Sequence, residues 1–285
     1  MSRDVFRGDC YQVAHTVEED GPHITQNEHY CVDYSVLTVL FRGKGNCFVE
    51  GNRYALTPGD AVVLRSNELR HFQFEQGGEH ERLSIYLLPS IAAPIWDTGL
   101  ALFRIFRDRP LGVGNKLQLK PEDGKGLWPI LEEIRVQMAE HYSDRSKEWE
   151  TELRLMLLRL LVRLCAGEKT AEGGGKSEDD PAVRSVCQYV HRNLSEKLTY
   201  RCIEEDCRVS RYQLGEVFRR GTGMTLTEYI IQKRLIRVSE LVLGGAKIEQ
   251  AALAAGFRNY SHFYKMFTKY RGTSPKQYFS VLKET

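Results

Sequence analysis

The chain has 285 residues, 42% of them hydrophobic, and a formal net charge of +2. This length predicts about two domains. The charge becomes informative after Pro181, where 18 Lys and Arg face 9 Asp and Glu, a net charge of +9 that leaves −7 for the rest. A basic last third predicts a polyanionic partner. The longest apolar run, LRLMLLRLLVRL, is interrupted by three arginines, which excludes a membrane-spanning segment there.

The 7 cysteines stand singly along the sequence. An odd number of them, without a recognisable secretory leader, is typical of a reduced cytoplasmic protein. Cys202 and Cys207 form a C-x4-C pair, but with no second pair beside it we expect inert thiols here.

The N-terminal region, from residue 10 to about 90, alternates apolar and polar residues in short runs. In VLTVLFRGKGNCFVEGNRYALTPGDAVVL the turns are RGKGN, EGN and TPGD. Short strands at this spacing predict an antiparallel sandwich or barrel. We assign residues 1–120 to this domain.

Residues 121–166 change to a helical period. Leu127, Ile130, Leu131, Ile134 and Met138 mark one face of a first helix, and a second follows at about 147–165. The apolar face of the second helix is wider than packing on one small sheet requires. We therefore interpret the pair as a dimerisation segment; the alternative is packing within one chain only.

A flexible linker is predicted at residues 167–181, because three consecutive glycines stand there among charges of both signs. The remaining domain, 182–285, contains a repeat. LGEVFRRGTGMTLTEY and FYKMFTKYRGTSPKQY align at an offset of 49 residues, pairing Leu214 with Phe263 and Phe218 with Phe267. A shorter helix and a tight turn precede each copy, which predicts two helix-turn-helix units at about 199–220 and 248–270.

The residue pattern of this domain resembles the AraC/XylS family of bacterial transcription regulators. The likeness is strongest in VSRYQLGEVFRRGTG, RLIRVSELVL and IEQAALAAGFRNYSHFYKMFTKYRGTSPKQY. The resemblance implies seven helices, with the two units joined by one long helix at 226–243. It also implies double-stranded DNA as a partner, with RNA polymerase as a further candidate.

In each unit, the outward residues on the second helix are the candidates for DNA contact. The predicted base-reading residues are Tyr212, Gln213, Glu216, Tyr260, Ser261, His262 and Lys265. The predicted phosphate contacts are Arg211, Arg219, Arg220, Lys269 and Arg271. For each base-reading residue the alternative is a solvated side chain or a phosphate contact.

The first unit departs from the family pattern. Glu204 and Arg208 stand where the second unit has Ala252 and Gly256, and Gly215 lies inside a helix. We expect Glu204 to pair with Arg208; the alternatives are that Glu204 reaches solvent, or that the unit is loosely held until DNA or effector orders it.

Residues 29–74 resemble, more loosely, the cupin-like sensing domain common in this family. The fold class is thus α+β: a cupin-like antiparallel β-barrel with a helical dimerisation pair, then an all-α domain. The resemblance implies a small-molecule effector, for which the family's habits suggest a sugar or related metabolite. The predicted effector-pocket residues are Tyr11, His15, His29, Tyr34, Arg65, His71 and Tyr86.

Two alternatives stay open for the N-terminal domain: a barrel that binds a protein partner, and a metal-dependent cupin enzyme with a DNA-binding appendage. Val36 and Thr38 occupy the places where such an enzyme would carry a carboxylate, and His71 matches only a lone histidine. We therefore expect neither a bound metal nor enzymatic activity. With the cysteine pattern, the arginine-interrupted apolar run and the helical pair described above, the full expectation is a cytoplasmic homodimer without a cofactor or a membrane partner.

Overall fold

The computed structural model describes residues 2–18, 34–75, 78–98, 101–119, 126–141, 146–166 and 181–283. The chain divides into two compact units. The first comprises Met1–Val49 and Arg53–Glu178, and the second comprises Glu50–Asn52 and Asp179–Thr285. The predicted linker therefore lies, except for Pro181, outside the described residues.

In the described residues up to 119, nine short strands form two antiparallel sheets. They are β1 Ser2–Arg7, β2 Tyr11–Glu18, β3 Ser35–Arg42, β4 Gly45–Val49, β5 Asn52–Leu56, β6 Asp60–Leu64, β7 Arg70–Phe74, β8 His80–Leu87 and β9 Lys116–Gln118. A six-stranded sheet has the order β1-β2-β8-β3-β6-β9, and a three-stranded sheet has the order β5-β4-β7. The antiparallel sheet domain predicted from the turn spacing is confirmed, although strand pairing leaves two sheets rather than one closed barrel.

The six-stranded sheet carries buried apolar residues on both faces. Successive side chains point to opposite sides of a strand, so Val13, Leu37 and Ile85 join one core while Val36, Val62 and Tyr86 join another. The second core is completed by residues of the three-stranded sheet, among them Phe72 and Phe74. The first core is completed by helices, which explains why every residue of β8 is buried.

The helices of the first unit are α1 Arg104–Arg107, α2 Trp128–His141 and α3 Lys147–Cys165, with a 3-10 segment at Pro89–Thr98. Ser146 caps α3 by accepting a hydrogen bond from the Trp149 backbone N–H at 3.2 Å. The wide apolar face of α3 is used within the chain, because Leu153, Leu157 and Leu161 lie fully buried in the core with the sheet. Leu155 remains, 60% exposed.

The part of the second unit at residues 181–283 consists of helices and the loops between them. Its helices are α4 Pro181–Arg192, α5 Tyr200–Cys207, α6 Phe218–Thr222, α7 Leu226–Leu243, α8 Ile248–Ala254, α9 Tyr260–Arg271 and α10 Pro275–Lys283, with a π-helical turn at Gln213–Val217 leading into α6. Helix α7 has the predicted bounds. Thr225 and Glu228 form a reciprocal capping box at its start.

The turn between α8 and α9 depends on Gly256. Its φ is +96°, as the tight turn requires, and a Cβ there would lie 2.4 Å from the backbone oxygen of Leu194. Arg234 of α7 donates to the same oxygen at 3.1 Å and to the Glu196 carbonyl at 2.7 Å. The glycine is therefore needed both for its conformation and for the close approach of the neighbouring loop.

Candidate DNA-reading helices and effector site

The second helix of the first unit, called here the first recognition helix, runs from residue 211 through the π-helical turn to the end of α6, and Ser210 caps its start. Its hydroxyl accepts from the Gln213 backbone N–H at 3.2 Å, and the Gln213 side-chain oxygen accepts from the Ser210 N–H at 2.7 Å. Leu214 and Val217 are buried on the inner side of the helix. The cap thus engages one lone pair of the Gln213 amide oxygen, and the NH₂ group of the same side chain can donate to an adenine.

Arg211 is held against its own domain. Its guanidinium lies 4.1 Å from the Tyr200 ring centroid and 3.7 Å from a Glu204 carboxylate oxygen. The expectation that Glu204 pairs with Arg208 is wrong. Arg208 has a left-handed backbone, with φ +54° at the end of α5, and Glu204 pairs instead with Arg211 and stays partly exposed.

The second recognition helix, α9, has a similar construction. The Asn259 side-chain oxygen accepts from the His262 backbone N–H at 2.8 Å. Phe263 and Phe267 are fully buried, with ring centroids 5.4 Å apart, and Phe267 also contacts Phe279 at 5.5 Å. These aromatic residues form the buried back of the helix, which leaves its other face to solvent.

The predicted base-reading residues all lie on the outward faces of these two helices. Gln213 is half-buried by its capping role, and the exposed ones are Tyr212, Glu216, Tyr260, Ser261, His262 and Lys265. The predicted phosphate contacts Arg219, Arg220 and Lys269 are exposed, and Arg271 is half-buried. Their contacts with DNA stay predictions.

Tyr264 is an outward residue that the sequence reading missed. Its side chain is 44% exposed, and its ring centroid lies 6.3 Å from that of Tyr260. The repeat carried the signal, because the 49-residue offset aligns Tyr264 with Gly215, which the helical period already turns outward.

The space between the two sheets contains polar groups among its apolar residues. The hydroxyls of Thr38 and Ser84 lie 3.1 Å apart across β3 and β8. At one end the rings of Tyr34 and Tyr86 meet edge to face, with centroids 6.2 Å apart. The Arg70 guanidinium reaches from β7 to within 5.9 Å of the Tyr86 ring centroid. Hydroxyl, aromatic and cationic groups therefore converge there.

A buried ionic cluster lies farther along the same face of β8. A Glu18 carboxylate oxygen is 3.1 Å from His80 Nε2, and the other is 3.6 Å from Arg82 Nη2. The Phe74 ring stacks on His80 with centroids 4.0 Å apart. Strand alternation assigns these residues to the inner face once the register is known, but the sequence alone does not fix that register.

The predicted effector residues fall on different faces. Tyr34 and Tyr86 lie together between the sheets. Tyr11 and His15 lie on the opposite face of β2, where Tyr11 donates to the Glu150 carbonyl at 3.2 Å and His15 lies 2.8 Å from Glu81. Arg65 lies 3.6 Å from Glu68 after β6, His71 stacks on Phe48, and His29 is outside the described residues.

Glu81 is buried on the helix-facing side of the sheet, where His15 and Arg135 are its hydrogen-bond partners. Glu81 accepts from His15 Nε2 at 2.8 Å and from Arg135 of α2 at 2.9 Å. Burial opposes ionisation of Glu81, but these hydrogen bonds outweigh it and hold the pKa of the carboxyl below its usual value.

No group of three or more His, Cys, Asp or Glu is arranged to hold a metal ion in the described ranges. Across those same residues, none of the helices is both long enough and apolar enough to cross a membrane.

Two protein families match this chain. Residues 23–161 match the family described as AraC-like ligand binding domain, and residues 205–280 match the family described as helix-turn-helix domain. Their order along the chain is the order of the two units described above. The chain belongs to the AraC family of transcriptional regulators. Its first unit is the ligand-binding domain, and its second unit is the DNA-binding domain.

The relatives of this AraC-family regulator include two proteins named as transcriptional activators. The chain is 22% identical over 291 residues to the HTH-type transcriptional activator RhaR of Yersinia pseudotuberculosis, covering 97% of this chain and 92% of RhaR. It is 30% identical over 113 residues to the bifunctional transcriptional activator/DNA repair enzyme AdaA of Bacillus subtilis, covering 39% of this chain and 54% of AdaA.

Among solved structures, the regulator is similar to ToxT from Vibrio cholerae O395. The two chains are 17% identical, with 98% of this chain and 100% of ToxT covered and a TM-score of 0.41. The family membership of the regulator rests on the sequence matches.

Proposed function

We propose that this AraC-family regulator reads specific double-stranded DNA with the outward faces of its two recognition helices, in the cytoplasm and without enzymatic activity. The observation that carries this proposal is the shared construction of the two helices. Each has a side-chain cap at its start, a buried apolar back and an exposed polar front. Two such helices in one chain are expected to enter successive major grooves about 34 Å apart.

Lys265 and Lys269 provide a test on one helix. Both side chains are exposed on α9, with Lys265 nearer the leading end that reaches the floor of the groove. We expect Lys265→Ala to weaken a cognate site by about 1–3 kcal/mol and to spare random duplex. The matched variant Lys269→Ala should weaken both duplexes and reduce the salt dependence of binding. Fluorescence anisotropy at several salt concentrations measures this, and equal losses for Lys265→Ala on both duplexes would remove it from the readout.

A small-molecule effector is proposed to bind between the two sheets. The support is the convergence of the Thr38 and Ser84 hydroxyls, the Tyr34 and Tyr86 rings and the Arg70 guanidinium. Hydroxyl, aromatic and cationic groups together suit a sugar or a related hydroxylated metabolite. Control of DNA binding then requires that the effector prefer one of two states of the regulator.

Two tyrosine variants test the location of the effector. Tyr86→Phe removes a hydroxyl between the sheets, and Tyr11→Phe removes one on the opposite face of the same sheet. After a thermal-shift screen of sugars and metabolites has found a stabilising compound, calorimetry should show weaker binding by Tyr86→Phe and unchanged binding by Tyr11→Phe. The reverse result would place the compound elsewhere, and a screen without hits together with a co-purifying protein would favour a protein partner.

The regulator is also proposed to act as a homodimer through α3. One exposed stripe of this helix runs from an acidic start, Glu148 and Glu152, through Leu155 to a basic end at Arg159. Residues four and three apart share a helix face. A second copy in antiparallel orientation brings Glu152 level with Arg159 of the partner subunit, whereas a parallel copy brings like charges together.

Charge exchange tests this dimer surface. Glu152→Arg should convert dimers to monomers at micromolar concentration, and adding Arg159→Glu should restore them because the pairing is reversed. Glu133→Arg, an exposed position on α2, is the matched control and should leave the molar mass unchanged. Light scattering measures the mass. A wild-type monomer would reject the dimer, and a dimer indifferent to Glu152→Arg would reject this stripe.

A further inference from the structure

The two recognition helices differ at two consecutive outward positions. Leu214 and Phe263, which the repeat aligns, are both fully buried. The next residues are therefore equivalent as well, so Gly215 and Glu216 of the first helix correspond to Tyr264 and Lys265 of the second. All four are exposed. One helix thus presents no side chain and then an acid, where the other presents a phenol ring and then a cation.

Gly215 has no structural requirement for the missing side chain within the described chain. Its φ is not positive, and a Cβ at this position would have no neighbouring heavy atom within 4 Å. Gly215 thus differs from Gly256, where an added Cβ would clash with the backbone oxygen of Leu194. Glycine is disfavoured inside a helix, so its presence on an exposed face suggests that another molecule approaches the backbone there.

The backbone around Gly215 is itself irregular. Residues Gln213–Val217 form a π-helical turn, and the Phe218 N–H donates to the carbonyls of both Gln213 and Gly215. Single π turns occur frequently at functional sites. The widened turn carries Glu216 on its exposed side.

The reach of the neighbouring side chain fits this difference. Glu216 is shorter than Lys265, so its carboxylate meets a base edge only if the helix backbone lies close to the DNA. Gly215 allows that approach. On α9 the Tyr264 ring would keep the backbone farther from a base edge, and the longer Lys265 side chain would span that distance.

We propose that Gly215 and Glu216 act together in base reading. The first recognition helix presses its backbone at Gly215 against the DNA, so that Glu216 accepts a hydrogen bond from a cytosine amino group. The second places Tyr264 against a thymine methyl group or the sugar, and Lys265 donates to guanine. This inference rests on the proposed DNA-reading function, and it assigns one base preference of each helix to one pair of residues.

Exchanging the two residue pairs tests the inference in the full-length regulator. The selected DNA sequences are first determined for the wild type from a random duplex library. We expect Gly215→Tyr to weaken the selected site about 10-fold or more, and Gly215→Tyr with Glu216→Lys to lose the cytosine preference in the first element and to gain guanine there. Tyr264→Gly with Lys265→Glu should make the opposite change in the second element.

Controls separate folding from reading. Gly215→Tyr should leave the thermal midpoint of the free protein unchanged or raise it, because the position faces open space. Glu216→Lys alone should lose the cytosine preference and keep nonspecific affinity. Unchanged affinity in Gly215→Tyr, or an unchanged first element in the double variant, would overturn the inference. A wild type that selects no sequence would instead overturn the DNA-reading proposal itself.

Discussion

Gly256→Ala should destabilise the second helix-turn-helix unit, and Gly245→Ala provides the matched control. Both glycines have a φ of +96°, so an alanine at either position costs about 1–2 kcal/mol of backbone strain. A Cβ at Gly245 has no heavy atom within 4 Å, whereas at Gly256 it would lie 2.4 Å from the Leu194 oxygen and 2.8 Å from Arg234 Nε.

The clash at Gly256 adds an overpacking cost of about 1–3 kcal/mol, because the nearest atom belongs to backbone and cannot rotate away. We therefore expect Gly256→Ala to destabilise the unit by about 2–5 kcal/mol in total, with Gly245→Ala remaining at about 1–2 kcal/mol. The difference between the two variants isolates the steric contact from the backbone strain. Arg234 contributes to the steric cost, because its hydrogen bonds to the Leu194 and Glu196 carbonyls must lengthen when that loop moves.

Hydrogen exchange measured by mass spectrometry suits this test, because a chain of two units need not unfold in one step. Amides of α8 and α9 should exchange about 30-fold to several thousandfold faster in Gly256→Ala than in wild type, since every 1.4 kcal/mol is tenfold. Amides of the sheets report whether the change is local. Equal protection of α8 and α9 in the two alanine variants would show that the loop relaxes freely and would refute the reasoning.

Variants at three further positions test the core, a helix cap and a buried carboxylate. Phe267→Ala should lower the unfolding free energy of the second unit by about 3–5 kcal/mol in urea titrations, because the ring is fully buried; Phe267→Leu should lose less. Asn259→Ala should cost about 0.5–2 kcal/mol through loss of the α9 cap, and Asn259→Ser should be nearly neutral in the same titration. The lowered pKa of Glu81 predicts stability that is present above the unfolded pKa of about 4.3 and is lost as the pH falls through the folded value, so Glu81→Gln should flatten the acid side of a thermal-midpoint profile. An acid side as steep as in wild type would assign that pH dependence to other carboxylates.

The helical domain was readable from the sequence because its signals are local. The cap at Ser210 and the turn at Gly256 depend on cap and turn chemistry, which involves only neighbouring residues, and the resemblance to the family supplied the bounds of α7. The repeat also separated the buried Phe263 and Phe267 from the exposed faces. Strand content in the first unit was readable in the same way, from alternation between turns.

The partners of individual side chains needed the tertiary structure. Glu204 pairs with Arg211 and not with Arg208, because the left-handed end of α5 sets the direction of the chain. Tyr11 and Tyr86 lie on opposite faces of one sheet, and a shift of a single residue in register would have exchanged them. The apolar face of α3 likewise packs within the chain, which its sequence did not reveal. The sequence by itself determined which elements form and which residues each can expose, because both depend on near neighbours in the chain. The contacts of those residues were decided by the tertiary structure, because strand register and long-range packing join residues that are distant in the chain.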